Sequence, residues 1–291
     1  MQKLTYQNLR GERAVFGCAP PYILCKVRGL GMSDMDIESA RGNGQQGESV
    51  LAVRRQTRDV SLTLHLWGES RADMYRRRVA LCGILSPDRA FDGENRSKLI
   101  YENDYGSWWT WAVPENGLDW GDRIRDIHPQ VKLNFLCESP FWFSMKPSAV
   151  TFKSRRAGFT LPMRFPVELG SSVFSICAYN GGLSSTPVTV SIQGCGEMPT
   201  LFNRSTGAQI KLVAPLPVGD TLTIVTDPAR LTAQIKHPDG ASENAYGLLD
   251  PETSIAGFRL RPGDNELVYQ PDTDRTQSVI RVEWYECFEG V

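Results

Sequence analysis

The chain has 291 residues, 41% of them apolar, enough for about two domains with their own cores and too many for wholesale disorder. Lys plus Arg number 32 against 33 Asp plus Glu, a net charge of −1, which excludes a global electrostatic drive toward nucleic acid or an anionic membrane. No apolar run approaches the ~18 residues of a membrane-spanning helix. Met1 to Arg10 holds no apolar signal core, so synthesis and folding in a cytosol are expected.

In chain order, the first informative stretch is Arg41-Gly42-Asn43-Gly44-Gln45-Gln46-Gly47-Glu48-Ser49, between the Gly29–Ile37 region and a strand beginning at Val50. It superficially resembles a phosphate cradle. No Gly-Lys-Ser or Gly-Lys-Thr follows and no helix begins there, so the dipole that would hold phosphate is missing. A hairpin tip or extended arm is the better reading.

Val60, Leu62, Leu64 and Leu66 alternate with Ser61, Thr63, His65 and Trp67, the pattern of a half-buried strand. His65 falls on its polar face with nothing nearby to complete a site. A helix follows: Ser70 can cap it, Asp73 stands three residues on, and Met74, Tyr75, Leu81, Cys82 and Leu85 fall on one face. Gly83 and Pro87 mark its end. The run Arg76-Arg77-Arg78, with Arg71 before it, reads as a solvated or subunit-facing helix side, because a nucleic-acid surface recruits more basic residues on one face.

Lys98–Asn103 and Ser107–Val113 read as a hairpin. Period two puts Trp109, Trp111 and Val113 on one face and Trp108 on the other, as core or interface anchors or as a stacking platform. Val131, Leu133, Phe135 and Cys137 form another strand, which ends where Pro140 stops ladder pairing. Composition shifts near Ser144–Pro147, so the domains are drawn as 1–145 and 146–291.

From about Val150 onward, short alternating strands are punctuated by turn residues. They are Val173–Tyr179 before Asn180-Gly181-Gly182, Val188–Ile192, Ala208–Val213, Thr221–Thr226, Leu231–Lys236, Ile255–Leu260, Glu266–Tyr269 and Val279–Tyr285. Gly194, Gly196 and Pro199 interrupt. About eight strands at this spacing suggest a β-sandwich.

Seven cysteines, an odd number with no Cys-x-x-Cys, read as buried reduced thiols. His65, His128 and His237 are too far apart for a zinc site. No metal, cofactor or catalytic residue is expected.

The order of these phrases resembles the distal tail protein family of long-tailed, siphovirus-type phages. Asn203-Arg204-Ser205-Thr206-Gly207-Ala208 is similar to the family's Asn-x-Thr-Thr-Gly strand turn. Leu216 to Ile224 is similar to its Gly-Asp/Glu segment before an apolar strand. That segment closes on Asp-Thr in the family and reads Val225-Thr226-Asp227 here. Phe258 to Asn265 is similar to its Leu-x-Pro-Gly-x-Asn turn, and Val282–Tyr285 to its final strand. In the first half Gly47, the strand, the helix and Cys137–Trp142 occur in the family's order. The resemblance implies a mainly β protein: an N-terminal β-sandwich or split-barrel domain with one α-helix and an extended arm, plus a C-terminal galectin-like β-sandwich. It also implies a homohexameric ring in the virion tail, assembled in the host cytoplasm. The ring would join the tail tube and tape measure proteins to baseplate hub or tail-fibre proteins, with genome DNA passing unbound and no membrane insertion. Arg41, Gly42, Asn43, Gly44, Gln45, Gln46, Gly47 and Glu48 would then form the belt arm between subunits.

Two other classes stay open. A carbohydrate-binding module needs an exposed aromatic with amide and basic partners on one sheet face. Tyr179 and Tyr246 are the candidate glycan or partner contacts, while Trp284 shares a face with Ile280 and Val282 and reads as core. An enzyme, such as a glycoside hydrolase, needs a nucleophile elbow, triad order or zincin motif, and none is present.

Overall fold

The computed structural model describes residues 2–93, 95–120, 128–154, 174–194, 198–271 and 278–291. Val173, Cys195 and Gly196 lie outside the described residues. The backbone forms two compact units, Met1–Met145 with Phe288–Val291, and Lys146–Cys287.

The first unit contains β1 (Lys3–Gln7), β2 (Arg13–Gly17), β3 (Tyr22–Arg28), β4 (Met35–Ala40), β5 (Ser49–Arg55) and β6 (Arg58–Leu66). Helices α1 (Arg71–Ile84) and α2 (Pro87–Ala90) follow, then β7 (Lys98–Glu102), β8 (Ser107–Trp111), β9 (Val113–Pro114), β10 (Gln130–Cys137) and β11 (Trp142–Ser144). One sheet runs β11-β8-β7-β1-β2-β3-β6-β10-β9, with the strand Cys287–Phe288 beside β11. A sheet this wide curls rather than lying flat. Tyr6 of β1 and Phe135 of β10 are four strands apart, yet their rings stack with centroids 5.1 Å apart. The sheet therefore wraps around its own core, in the manner of a split barrel.

The alternation expected of β6 and β10 is present. Val60, Leu62, Leu64 and Leu66 face Val131, Leu133, Phe135 and Cys137 in the same core as Leu4, Phe16 and Trp142. The helix begins where expected, with Ser70 accepting from the Asp73 amide at 3.2 Å. The Asp73 carboxylate in turn accepts from the Glu69 amide. Only part of the expected helix face is buried: Met74, Leu81 and Leu85 are inside, whereas Tyr75 and Cys82 are exposed. Pro87 does not simply end the helix. It opens the short α2 at a position where its missing N–H costs nothing. The arginine run is largely spent within the fold. Arg77 pairs with Asp73 at 2.8 Å and donates to the Trp67 carbonyl, and Arg78 lies 5.0 Å from the Trp120 ring centroid.

The second unit holds β12 (Ser148–Lys153), β13 (Phe174–Asn180), β14 (Thr186–Gln193), β15 (Pro199–Asn203), β16 (Ala208–Lys211), β17 (Thr221–Val225), β18 (Thr232–Lys236), β19 (Ser242–Asn244), β20 (Arg259–Leu260), β21 (Gly263–Pro271) and β22 (Val279–Trp284). These are eleven strands among the described residues, against the eight or so expected. Pro199 opens a strand instead of interrupting one. Ile255 sits in a turn, so only Arg259–Leu260 of the expected Ile255–Leu260 strand pairs. One antiparallel sheet runs β12-β22-β14-β17-β18-β19, with β20 also on β14, and the other runs β13-β21-β15-β16. Val190, Ile224, Ile280 and Val282 of the first face Leu201, Ile210, Leu267 and Tyr269 of the second in one core, the layering of a β-sandwich. Trp284 is buried, as expected.

The turn phrases have a physical basis. Asn203 and Asn265 are fully buried. Asn203 donates to the Arg259 carbonyl at 2.9 Å. Asn265 donates to the Arg261 carbonyl at 2.8 Å and accepts from the Arg261 amide at 3.0 Å, so its side chain closes the Pro-Gly turn from within. Gly263 there has φ +84°, a left-handed conformation that favours glycine.

Candidate functional site

The hairpin β4–β5 stands out because neither strand joins the main sheet. The two pair only with each other, from Met35↔Arg55 to Ala40↔Ser49, with a bulge between Glu38 and Ser39. The tip Arg41–Glu48 is ordered by its own side chains. Arg41 Nε donates to the Gln45 carbonyl at 3.0 Å, the Gly42 amide donates to Gln45 Oε1 at 2.9 Å, and Gln45 Nε2 donates to Ser49 Oγ at 3.0 Å. Ser39 Oγ bonds Glu48. Gly44 and Gly47 take positive φ, which explains why glycine recurs in this turn.

The hairpin strands are unusual in what they expose. Ile37, Val50, Leu51 and Val53 are 57%, 62%, 63% and 55% accessible, with Met32 and Met35 exposed beside them. An isolated two-stranded hairpin is marginal in water, and a run of exposed large apolar side chains marks an interaction surface. Glycines mark the tip in the sequence, whereas the exposed apolar strands, which carry the stronger signal, have no mark there.

The root of the hairpin is held by Arg58, the first residue of β6, only 1% exposed. Its guanidinium donates to four backbone carbonyls. Nη1 bonds Gly29 at 2.7 Å and Gly31, just ahead of β4. Nη2 bonds Pro140 at 2.6 Å and Glu289 at 2.6 Å. The Trp142 ring lies beneath it, 5.5 Å from Cζ to centroid. Burial pulls the Arg58 pKa below its ordinary value, yet the four carbonyls compensate the buried charge. The neighbouring Cys137 thiol is pushed up to about 12, chiefly by burial. Arg55 pairs with Glu289 and stacks 5.3 Å from Phe141.

The structure places the other candidates apart. Tyr179 lies on β13, one edge of the four-stranded sheet, and is 65% exposed. Tyr246 follows β19. Its segment is tied by the Leu248 carbonyl to Val213, just past β16 at the opposite edge of that sheet. The two tyrosines therefore do not share a sheet face. In the first unit, Trp108 packs into the core beside Tyr101, while Trp109 meets Trp111 edge to face and lies tilted against Phe143 on the other face, with Lys98 4.5 Å from the Trp109 ring centroid. His65 sits at the polar face of β6, opposite Gln130. Cys18, Cys25, Cys82 and Cys177 are exposed, against the expectation of buried thiols, and Cys137 and Cys287 are buried. Among the described residues no group of three or more His, Cys, Asp or Glu side chains could hold a metal ion, and no helix is long and apolar enough to cross a membrane.

No protein-family model matches the sequence, and no curated protein does. Solved structures do match in fold. The SPP1 Dit (gp 19.1) protein, described as a paradigm of the hub adsorption apparatus in phages infecting Gram-positive hosts, is 16% identical with a TM-score of 0.65, over 98% of this chain and 99% of that one. A chain of the phage P2 baseplate in its activated conformation with Ca is 12% identical with a TM-score of 0.56, over the full length of both. The same baseplate with Sr gives 12% and 0.55. The chain thus shares, over nearly its whole length, the mainly β fold of these hub and baseplate proteins, with an N-terminal and a C-terminal β domain.

Proposed function

We propose that this protein is a structural component of the distal end of a long phage tail, where copies of the chain close into a hexameric ring. The first unit forms the ring, and the β4–β5 hairpin, with Arg41–Glu48 at its tip, is the arm laid on the neighbouring subunit. The ring would join the tail tube and tape measure proteins to the baseplate hub or tail fibres, and genome DNA would pass through its lumen. Assembly would take place in the host cytoplasm. On this reading no residue performs chemistry.

The observation that carries the proposal is the exposed apolar hairpin on a rigid, hydrogen-bonded root. A head-to-tail contact of one patch on a different patch of the next copy closes into a ring when the rotation allows. Covering Ile37, Val50, Leu51 and Val53, each more than half exposed, is worth about 1 kcal/mol per side chain, or about 4 kcal/mol per contact. The likeness of fold to phage hub and baseplate proteins supports the setting. Light scattering after size exclusion, with negative-stain images, tests it. Closed rings are expected for the intact chain, and weakened rings after deletion of Gly42–Glu48. Assembly untouched by that deletion would overturn the arm assignment, and a chain of 32.5 kDa that stays monomeric alone and on tails would overturn the ring.

A further inference from the structure

The outer face of the second unit's smaller sheet carries a groove of about 550 Å³, within the roughly 300–1,000 Å³ of small-molecule sites. Register assembles it. Thr200 and Phe202 of β15 point away from the core residue Leu201. Phe202 is opposite Gln209 of β16, and Thr200 is flanked by Lys211 of β16 and Gln270 of β21. Thr200, Phe202, Gln209, Lys211 and Gln270 therefore share one face, and Glu252 closes the rim.

The charges in this groove are already engaged. Lys211 pairs with Asp250 at 2.8 Å, and Gln209 Nε2 donates to Glu252 at 3.4 Å. The lining itself carries one positive and one negative group, Lys211 and Glu252, with Asp250 paired to Lys211 beside it, so the groove offers no net attraction to an anion. Two of its neutral groups are free. Among the described residues, the Thr200 hydroxyl and the Gln270 amide have no hydrogen-bond partner, and no aromatic ring covers Phe202. An aromatic face bounded by carboxamides, a hydroxyl and a spare ammonium hydrogen suits a ligand with one apolar face and a rim of hydroxyls. A pyranose ring has that shape.

We propose that this groove binds a neutral oligosaccharide, with one sugar ring stacked on Phe202 and its hydroxyls held by Gln209, Gln270, Thr200 and Lys211. The groove lies within the second unit, and its test does not depend on ring formation. The test uses the full chain with trimers of glucose, galactose, rhamnose and N-acetylglucosamine, by saturation-transfer NMR and calorimetric titration. At least one trimer is expected to bind, with signal strongest at the ring that meets Phe202. Phe202→Ala and Gln209→Ala should each weaken that binding at least tenfold, and Phe202→Tyr should retain it. Gln209 is on the surface, so its variant keeps the fold even if Phe202→Ala does not. Val218→Ser, in an exposed turn away from the groove, should bind as the native chain. Failure of all four trimers, or binding unchanged in both Phe202→Ala and Gln209→Ala, would overturn the proposal.

Discussion

Replacing Arg58 by Met tests the account of the hairpin root most sharply. The native guanidinium donates to the carbonyls of Gly29, Gly31, Pro140 and Glu289. Hydrogen bonds from a charged group are worth about 1.5–3 kcal/mol each, so four amount to roughly 6–12 kcal/mol gross. Against this stands the several kcal/mol needed to desolvate a buried cation, and Met removes that cost as well. What remains is the penalty of four part-buried carbonyls that lose this donor, and the expected net loss is about 3–5 kcal/mol. Arg58→Lys should lose about 2–3 kcal/mol, because a shorter side chain with three donors cannot reach carbonyls on both sides. Urea unfolding followed by tryptophan emission is a suitable assay. Of the seven tryptophans, all but Trp284 lie in the first unit, so emission reports that unit. At a slope of about 2 kcal/mol/M the midpoint for Met should fall by roughly 1.5–2.5 M. A fall below about 0.5 M would refute the view that these four bonds hold the root.

Further outcomes follow from the same geometry. Ile37→Glu with Val53→Glu should abolish the proposed ring formation by light scattering, while the unfolding free energy changes by less than about 0.5 kcal/mol, since both side chains are exposed in the single chain. Gly29→Ala should destabilise the first unit by several kcal/mol in the urea assay, at least the ~1–3 kcal/mol of an unfavourable backbone conformation. Gly29 has φ +88°, and a Cβ there would lie 1.9 Å from the Asp59 carbonyl oxygen. His237 Nδ1 donates to the buried Asp220 carboxylate at 3.0 Å, and its pKa is raised by that bond first. A raised folded value means this pair stabilises fully below the ordinary histidine value of about 6.5, and the contribution is lost as pH climbs through the raised one. NMR titration should show the elevated midpoint in the native chain and its return toward the ordinary value in Asp220→Asn. Mass mapping of thiol labelling should find Cys18, Cys25 and Cys82 reactive and Cys137 protected by burial. Cys177, although exposed, should react slowly, because its bond to Asp264 raises its pKa; Asp264→Asn should speed it.

The core strands were legible because their alternation is unbroken. Val60–Leu66 and Val131–Cys137 each bury every second residue. The capped helix was legible for a similar reason, since Ser70 and Asp73 act within one turn. Strands without such a period were not legible. β1 buries Leu4, Thr5 and Tyr6 consecutively, and a register shift at Cys25 breaks the period of β3. β19, Ser-Glu-Asn, is exposed throughout and forms by pairing with β18. The glycines of the Arg41–Glu48 tip announced a turn. The Arg58 root could not be foreseen, because its partners are carbonyls, which every residue carries. The Phe202 groove was hidden for a different reason. Gln209 and Gln270 approach Thr200 and Phe202 only through cross-strand register, which sequence spacing does not encode.

The return of Phe288–Val291 to the first unit has a consequence for synthesis. Lys146–Cys287 is in effect inserted into another domain. Each nascent first unit must wait, lacking the Glu289 carbonyl that Arg58 bonds, until the whole of the second has left the ribosome. The hairpin's footing is therefore completed only after the second unit has been made, and a chain cut short upstream carries a hairpin with a loosened base.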